Sequence, residues 1–479
     1  MKKMWDTVLD KCQAVLRFRI PLVWHVAALV VLKWLYTLLA VLNLQGAYYE
    51  GIGSYQIHFV FWKECLGTAA FAGLAFVHLR WPNPNKMWQI LLRCLFLLYF
   101  LPLNAAFALN NMDMPFFFLT NIYAAIILGG SFLLSQFVAR RTPRPLLKKE
   151  KAPITDNVYV RLFCAIMCLL FVVHKFMYNG WQFTLSTYYA DVYANRAAYD
   201  DYLQAIGGTW WGYVLSIVRN LATAVAPFYL LISLVHRRPI GLALATLTTL
   251  SMFAVSSGKS SLLMWVLVVA LFAVYKTGLL QHMERLLDVG VALLLVWCLV
   301  EALVLPSTPI YTVLVRRQMY MPAWLDTIYY RFFSGHTKVF WTQDTFLLKN
   351  LLSSVATYKI SPLYVISQQC FNGAVPSPNT GMFAEAYMHF GMAGALIYPP
   401  LLIGLLWALT MVFARSNLVV QVLIAVRCVM QLTNVPVLRT DSVLSWILFA
   451  AVLWVLPVVP VWPWLDKLFE RRPFVCRKK

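Results

Sequence analysis

The sequence predicts an all-α polytopic integral membrane protein of about twelve transmembrane helices, with a large outside loop before the tenth. Three observations carry that reading. The 479 residues are 61% hydrophobic and only 12% charged, too little charge to cover a soluble chain of that length. Apolar runs of about 20 residues, enough to cross about 30 Å of hydrocarbon, recur along the whole chain. Lysine and arginine also alternate in density between successive loops, as the positive-inside rule requires.

The spans fall near 20–43, 59–79, 87–109, 115–138, 159–177, 210–235, 240–256, 261–276, 286–305, 387–413, 417–435 and 443–464. With both termini cytoplasmic, the cytoplasmic segments hold 23 of the 40 Lys and Arg, the outside segments nine and the spans eight. The first apolar run follows Lys2, Lys3, Lys11, Arg17 and Arg19. It is too long for a cleaved leader and lacks a small-x-small site, so it reads as a retained first helix. The basic runs ARRTPRPLLKKEK (139–151) and KLFERRPFVCRKK (467–479) are topology anchors beside anionic lipid. The formal charge of +21 therefore points to membrane lipids as partners and not to nucleic acid. Nine cysteines at scattered positions form neither a disulfide framework nor a zinc spacing, and no metal or cofactor is expected.

Three outside stretches stand apart: 178–209, the turn SSGKSS (256–261) and the loop 306–386. The last is too long to be only a connection, which predicts a folded substrate-handling element. Within it, VRRQMYMPAWLDTIYYRFFSGHTKVFWTQ (315–343) mixes Arg316, Arg317 and Arg331 with seven aromatics from Tyr320 to Phe340. Guanidinium forks bind phosphate oxygens and flat rings pack on pyranose faces, so the mixture suits a sugar phosphate. An amphipathic helix lying in the interface uses the same residue types. The GKS at 258–260 is not a phosphate-binding loop, because Phe253 stands where that motif needs its first glycine and a membrane helix precedes it. Lys259 nevertheless opens a helix on the outer face, where its ammonium and free backbone N–H groups suit an anion. Arg219 and Arg427 lie about nine and ten residues into their spans. Each costs about 2.5–3.5 kcal/mol there unless it faces an aqueous cavity, which makes both cavity-lining candidates.

The most specific stretch is NTGMFAEAYMHFGMAGALI (379–397), which puts Glu385 and His389 one turn apart where the large loop re-enters the membrane. It resembles the Asn-x-Gly, acid, Phe-Gly stretch of the O-antigen polymerase (Wzy-type) family of bacterial inner-membrane proteins. The turn VSSGKSSLLMW (255–265), the Arg-x10-Gly spacing from Arg196 to Gly207 and the overall layout are similar to that family as well. VLRTDSVLSW (437–446) offers a further basic-acidic corner through Arg439 and Asp441.

The resemblance implies a glycosyltransferase that moves a growing glycan from polyprenyl pyrophosphate onto another lipid-linked oligosaccharide repeat unit at the periplasmic face. No cofactor is implied, and a chain-length regulator protein is a possible partner. Glu385 is then the expected base, raised in pKa by half-dehydration, with His389 and His336 competing for the role. Arg196 and Arg331 are expected at the reacting centre. Arg316, Arg317, Lys259, Arg219, Arg427 and Arg439 are the expected pyrophosphate-binding set. The alternative for the 379–397 stretch is a turn, a helix cap from Glu385, and close packing at Gly391 and Gly394. An O-antigen ligase usually carries a His-x-His-Asn type signature in its large loop, whereas this loop offers His336 alone. A lipid-linked-sugar flippase would show two similar halves, and no such repeat is visible.

Overall fold

The computed structural model describes residues 13–14, 16, 20–49, 53–55, 57–141, 157–180, 182, 189–206, 209–256, 259–305, 307–343, 355–371, 378, 381–414, 416–437 and 443–456. In chain order the helices are α1 (Leu22–Leu44), α2 (Phe61–Arg80), α3 (Lys86–Leu109), α4 (Met114–Arg141), α5 (Val158–Asn179), α6 (Tyr189–Ile206), α7 (Trp210–Val235) and α8 (Pro239–Ser256). They continue with α9 (Lys259–Lys276), α10 (Met283–Val304), α11 (Met321–Gly335), α12 (Pro362–Phe371), α13 (Met382–Phe390), α14 (Gly394–Phe413), α15 (Leu418–Leu432) and α16 (Val443–Val455). The extended structure is one two-residue antiparallel ladder between α1 and α2, β1 (Tyr48–Tyr49) with β2 (Gly53–Ser54).

Among the described residues, seven stretches are long and apolar enough to cross a membrane: 22–44, 86–109, 114–138, 158–179, 210–235, 279–304 and 382–413. Shorter apolar helices occupy Pro239–Val255, Ser260–Lys276, Leu418–Leu432 and Ser445–Val455, and α2 fills the second expected span. Among the described residues, helices thus overlap the stretches where the apolar pattern expects spans, seven of them long and apolar enough to cross. Helices dominate for a physical reason: inside hydrocarbon every backbone N–H and C=O must be satisfied within the protein, and a helix does so within its own chain.

The chain divides into two compact units. Unit 1 comprises residues 1–146, 279–408 and 424–444; unit 2 comprises 147–278, 409–423 and 445–479. In unit 1, α3 is almost wholly enclosed, with 94% of its most apolar window buried, against 22% for the 279–304 span. It is therefore the central strut of that unit, and its π-helical turn Phe96–Phe100 lies where α11 and α13 pack. Part of the 306–386 stretch takes a definite form. Residues 311–320 form a π-helix that runs directly into α11, and Pro322, Asp326, Tyr329, Tyr330 and Phe333 of α11 are buried. The segment is a packed helical element of unit 1.

One end of unit 1 is tied by charge. Arg93 of α3 donates from Nε to Asp288 Oδ1 of α10 at 2.7 Å and from Nη2 to Oδ2 at 2.5 Å. His25 of α1 meets the same carboxylate at 2.9 Å. Three helices converge on one carboxylate, whose two oxygens are both used.

Unit 2 is packed around α5, α7 and α8. Thr248 of α8 donates to the Cys168 carbonyl of α5 at 3.3 Å, and Phe228, Phe413 and Phe449 form an aromatic cluster with centroids 5.1–6.4 Å apart. The stretch 178–209 holds α6, whose Tyr199 hydroxyl contacts His174 of α5 at 2.8 Å.

Because Arg93 is 2% exposed, Asp288→Ala leaves a buried guanidinium without its counter-charge. The expected cost is about 3–5 kcal/mol, whereas the apolar pair Arg93→Met with Asp288→Leu recovers most of it. Thermal unfolding of the purified variants in detergent measures both.

Candidate functional site

The turn between α3 and α4, Asn110–Asp113, gathers the charges of unit 1. Asn111 sits there at φ +48°, a left-handed conformation that asparagine tolerates better than most residues. The turn leaves the carbonyls of Asn110 and Met112 pointing away from either helix. Arg331 of α11 donates from Nη2 to the Asn110 carbonyl at 2.6 Å. Lys63, in the first turn of α2, donates to Asn111 Oδ1 at 2.7 Å and to the Met112 carbonyl. Two cations are thereby clamped onto one short turn, close enough to repel each other, with Asp113 as the neighbouring counter-charge.

Asp113 has two tasks. Its Oδ1 accepts from the Phe116 N–H at 3.1 Å, capping α4, and its Oδ2 accepts from the Tyr330 hydroxyl at 2.9 Å. The side chain remains exposed. Tyr330 packs on Tyr387 with ring centroids 4.7 Å apart, and Ser334 reaches the Tyr387 hydroxyl at 3.1 Å. Burial, then the bond to Asp113, push the Tyr330 phenol well above its ordinary range, so it stays a neutral donor to the carboxylate. At the end of α11, His336 is exposed, donates from Nδ1 to the Phe332 carbonyl at 2.7 Å and stacks on the Phe332 ring at 4.1 Å. Lys338 donates to the carbonyls of Phe333 and His336 and lies 5.5 Å from the Tyr387 ring. Its ammonium pKa is lowered by burial. The result is a rim with three cations, one carboxylate and an exposed imidazole, backed by a buried pair of tilted tyrosines.

Behind this rim, α13 is gripped at its N-terminus. Asp326 Oδ2 accepts from the Tyr99 hydroxyl at 2.6 Å and Oδ1 from the Ala384 N–H at 3.1 Å. The Tyr99 oxygen in turn accepts from the Phe383 N–H at 2.9 Å. First-turn N–H groups that a local Ser or Asp would normally cap are capped here by residues 284 and 58 positions away in sequence. Gly381 is required at that point, since a Cβ there would stand 2.9 Å from Asp326 Oδ1 and 3.0 Å from the Tyr99 ring.

Glu385 and His389 lie deeper. Glu385 is 0% exposed; Oε2 accepts from the Val437 N–H at 2.5 Å and Oε1 from the Tyr398 hydroxyl at 3.3 Å. It is enclosed rather than half-dehydrated at the loop border, and it ties α13 to α14 and to the segment after α15. His389 is also 0% exposed, accepts at Nδ1 from the Trp341 N–H at 3.1 Å, and stacks on Tyr398. Trp341 Nε1 donates to the Tyr398 hydroxyl at 2.8 Å. Tyr398 therefore joins the acid and the imidazole in one network. Gly391, at φ +58°, and Gly394 let the chain break between α13 and α14. A Cβ on Gly394 would fall 2.0 Å from the Ala386 carbonyl oxygen.

The remaining expected residues are dispersed. Arg316 is half-buried and donates to the Tyr55 hydroxyl at 3.3 Å, while Arg317 is exposed. Arg219 of unit 2 is half-buried with its guanidinium 5.1 Å from the Tyr199 ring centroid. Arg427 of α15, in unit 1, is half-buried with its Nε enclosed and unpartnered. Arg196 is on α6 and Lys259 opens α9, but their side chains lie outside the described residues, as do Gly207, Asn379, Thr380, Arg439 and Asp441. Of the expected set, Arg331 and His336 come to the rim and Glu385 and His389 to the buried network. Sequence reasoning missed Lys63, Asp113, Tyr330, Asp326 and Tyr99. The signal for Asp113 was present: LNNMDMP (109–115) is a polar turn between two apolar runs whose aspartate precedes a helix by one residue. Nothing in the sequence marks Tyr99. Among the described residues no three His, Cys, Asp or Glu side chains converge as a metal site would require.

No family model, curated protein or solved structure matches the chain.

Two outcomes follow from this geometry. Burial holds the Asp326 carboxyl up to about 7 against an unfolded value of 3.8, with the bonds from Tyr99 and Ala384 pulling the other way. A raised folded pKa contributes stability that is complete below the unfolded value and is lost as pH rises through the folded one. Wild-type stability should decline between pH 3.8 and about 7, and Asp326→Asn should remove that part of the curve in pH-dependent thermal unfolding. Gly394→Ala should lower the melting temperature sharply at every pH, because the obstructing atom is backbone and cannot swing aside.

Proposed function

We propose that the chain is a membrane glycosyltransferase that polymerises polyprenyl-pyrophosphate-linked oligosaccharide repeat units into a long surface polysaccharide, O-antigen or a related glycan. The observation that carries the proposal is the convergence of Lys63, Asp113 and Arg331 on one turn, where Asp113 and Arg331 are exposed, beside the packed Tyr330–Tyr387 pair. These three residues come from elements far apart in sequence, and together they provide what the reaction needs. The wider reading is of twelve crossings in a bacterial inner membrane, both termini cytoplasmic, with the rim on the periplasmic side.

The acceptor sugar hydroxyl must lose a proton as its oxygen bonds to the donor's anomeric carbon. The bond from that carbon to phosphate breaks at the same time, and the lipid pyrophosphate leaves with the electron pair. Asp113 is the exposed carboxylate placed to take the proton, and Tyr330 holds it by a hydrogen bond. Arg331 and Lys63, already fixed by carbonyls of the turn, are aimed where negative charge grows on the leaving phosphate. Lys338 extends the cationic rim, His336 adds an exposed imidazole stacked on Phe332, and the buried Tyr330–Tyr387 pair fixes Asp113 from behind. Glu385 and His389 support this arrangement from behind, by fixing α13 against α14. Arg196, Arg316, Arg317, Lys259, Arg219, Arg427 and Arg439 remain candidates for steering the lipid-linked substrate, and a chain-length regulator is a candidate partner.

A second reading, a transporter of lipid-linked sugar, draws support from the ion pairs buried within the spans, since intramembrane charge commonly marks a transport path. One experiment separates the readings. Deletion of the gene in its native host should remove the long polysaccharide ladder on a lipopolysaccharide gel while leaving core capped by a single repeat unit. If no repeat reaches the core, the polymerase reading fails and ligase or transporter replaces it. In complementation at matched protein level, Asp113→Asn and Arg331→Ala should each cut polymerisation by about 10²–10³-fold, the usual loss for a well-aimed group at a reacting centre.

A further inference from the structure

Beneath the rim, four helices of unit 1 meet at a buried polar cluster that the proposed reaction does not use. Lys33 of α1 donates to Glu64 Oε1 of α2 at 2.6 Å and to Thr68 Oγ1 at 3.2 Å. Thr37 of α1 also donates to Glu64 Oε1, at 3.1 Å. From α3, Asn104 donates through its amide to Asn121 Oδ1 of α4 at 3.2 Å, and Asn121 donates on to the Phe117 carbonyl at 2.7 Å. Lys33 and Glu64 are both 0% exposed and Asn104 is 5% exposed.

The cluster is one-sided in its hydrogen bonding. Both donors described for the Glu64 carboxylate fall on Oε1, and Oε2 is buried with no partner. Asn104 donates one amide hydrogen to Asn121, and its Oδ1 is likewise buried with no partner. Lys33 has three N–H groups, two of them directed at Glu64 and Thr68. Two acceptors thus lack donors beside an ammonium with one N–H to spare. Gly67 lies beside Asn104 and Lys33. A Cβ built there would stand 3.1 Å from Asn104 Oδ1 and 3.8 Å from Lys33 Nζ. Glycine therefore keeps both groups clear of a side chain.

We propose that Glu64, Lys33 and Asn104 form an internal binding site for one water molecule, seated against Gly67, which keeps a lysine–glutamate pair charged inside the membrane-crossing part of unit 1. The water accepts the third Lys33 N–H and donates its two hydrogens to Glu64 Oε2 and Asn104 Oδ1. All three partners are then satisfied, matching the two to four contacts typical of buried water. Its role is electrostatic. A carboxylate solvated on one oxygen alone is poorly compensated in hydrocarbon. Without the water, the proton passes from Lys33 Nζ to Glu64, leaving a neutral amine and a carboxylic acid, with no other bond changed. Glu64 directly follows Lys63 in the first turn of α2, so the site also fixes the helix turn that presents Lys63 to the rim.

The test uses the purified full-length protein in lipid nanodiscs. X-ray radiolysis in ¹⁸O-labelled water modifies buried side chains only where water already sits, and mass spectrometry should find the label at 33–37 and 64–68. Gly67→Ala should reduce that label to background, and its infrared spectrum should gain a carboxylic-acid C=O band that Glu64→Gln removes. Gly67→Ser, whose hydroxyl replaces a donor, should return the spectrum to wild type. The proposal is overturned if the unaltered protein takes no label at those positions, or if it already shows an acid band that Glu64→Gln abolishes. Should Gly67→Ala fail to accumulate, the label and the spectrum of the unaltered protein decide the question.

Discussion

A charge or polar group inside hydrocarbon must be answered by another group of the same chain, and in unit 1 these obligations dictate which helices touch. Lys33 requires Glu64, which fixes α1 against α2. Arg93 requires Asp288, which fixes α3 against α10. Apolar side chains cannot enforce such choices, because lipid is as good a neighbour for leucine as another leucine is. The pairs act as registration marks along otherwise greasy surfaces.

The same logic builds the exposed rim and the layer beneath it. A tight turn at Asn110–Asp113 presents carbonyls that nothing local can satisfy, and Lys63 and Arg331 arrive from α2 and α11 to satisfy them. The N-terminus of α13 has no capping side chain of its own and borrows Tyr99 and Asp326. In both cases unmet backbone groups recruit distant polar side chains. The site is therefore assembled by hydrogen-bond demand as much as by chemistry, and its residues do double duty in folding. Asp113 is the plainest instance, since one oxygen caps α4 while the other holds Tyr330.

Much of the architecture was legible because membrane helices announce themselves locally. Apolar runs of sufficient length, interrupted by charged or Gly/Pro-bearing turns, place α1 through α5, α7 and α10 within a few residues of the expected bounds. The helix break at Gly391 and Gly394 was not legible, since the expected span 387–413 runs across it and these glycines read only as close-packing positions. The burial of 311–335 was harder to read. Its mixture of arginines and aromatics fits an interfacial helix as readily as a packed one, and only the positions of α3 and α13 select between them. Glu385 shows the same limit. A carboxylate at a helix start looks half-solvated until the backbone of Val437, 52 residues on, is found against it.

The sequence by itself determined that this is a helical membrane protein, where most of its helices run, and that a long segment between two apolar runs mixes aromatic and cationic residues. Those properties follow from composition and short-range pattern, because hydrophobic length and turn chemistry act within a few residues. Tertiary structure alone decided that Lys63, Asp113, Tyr330 and Arg331 share one turn, and that Glu385 lies behind them instead of among them. Such pairings span up to 268 residues, the separation of Lys63 from Arg331. They are settled by which unsatisfied groups face each other once the helices pack, and a linear pattern does not contain that information.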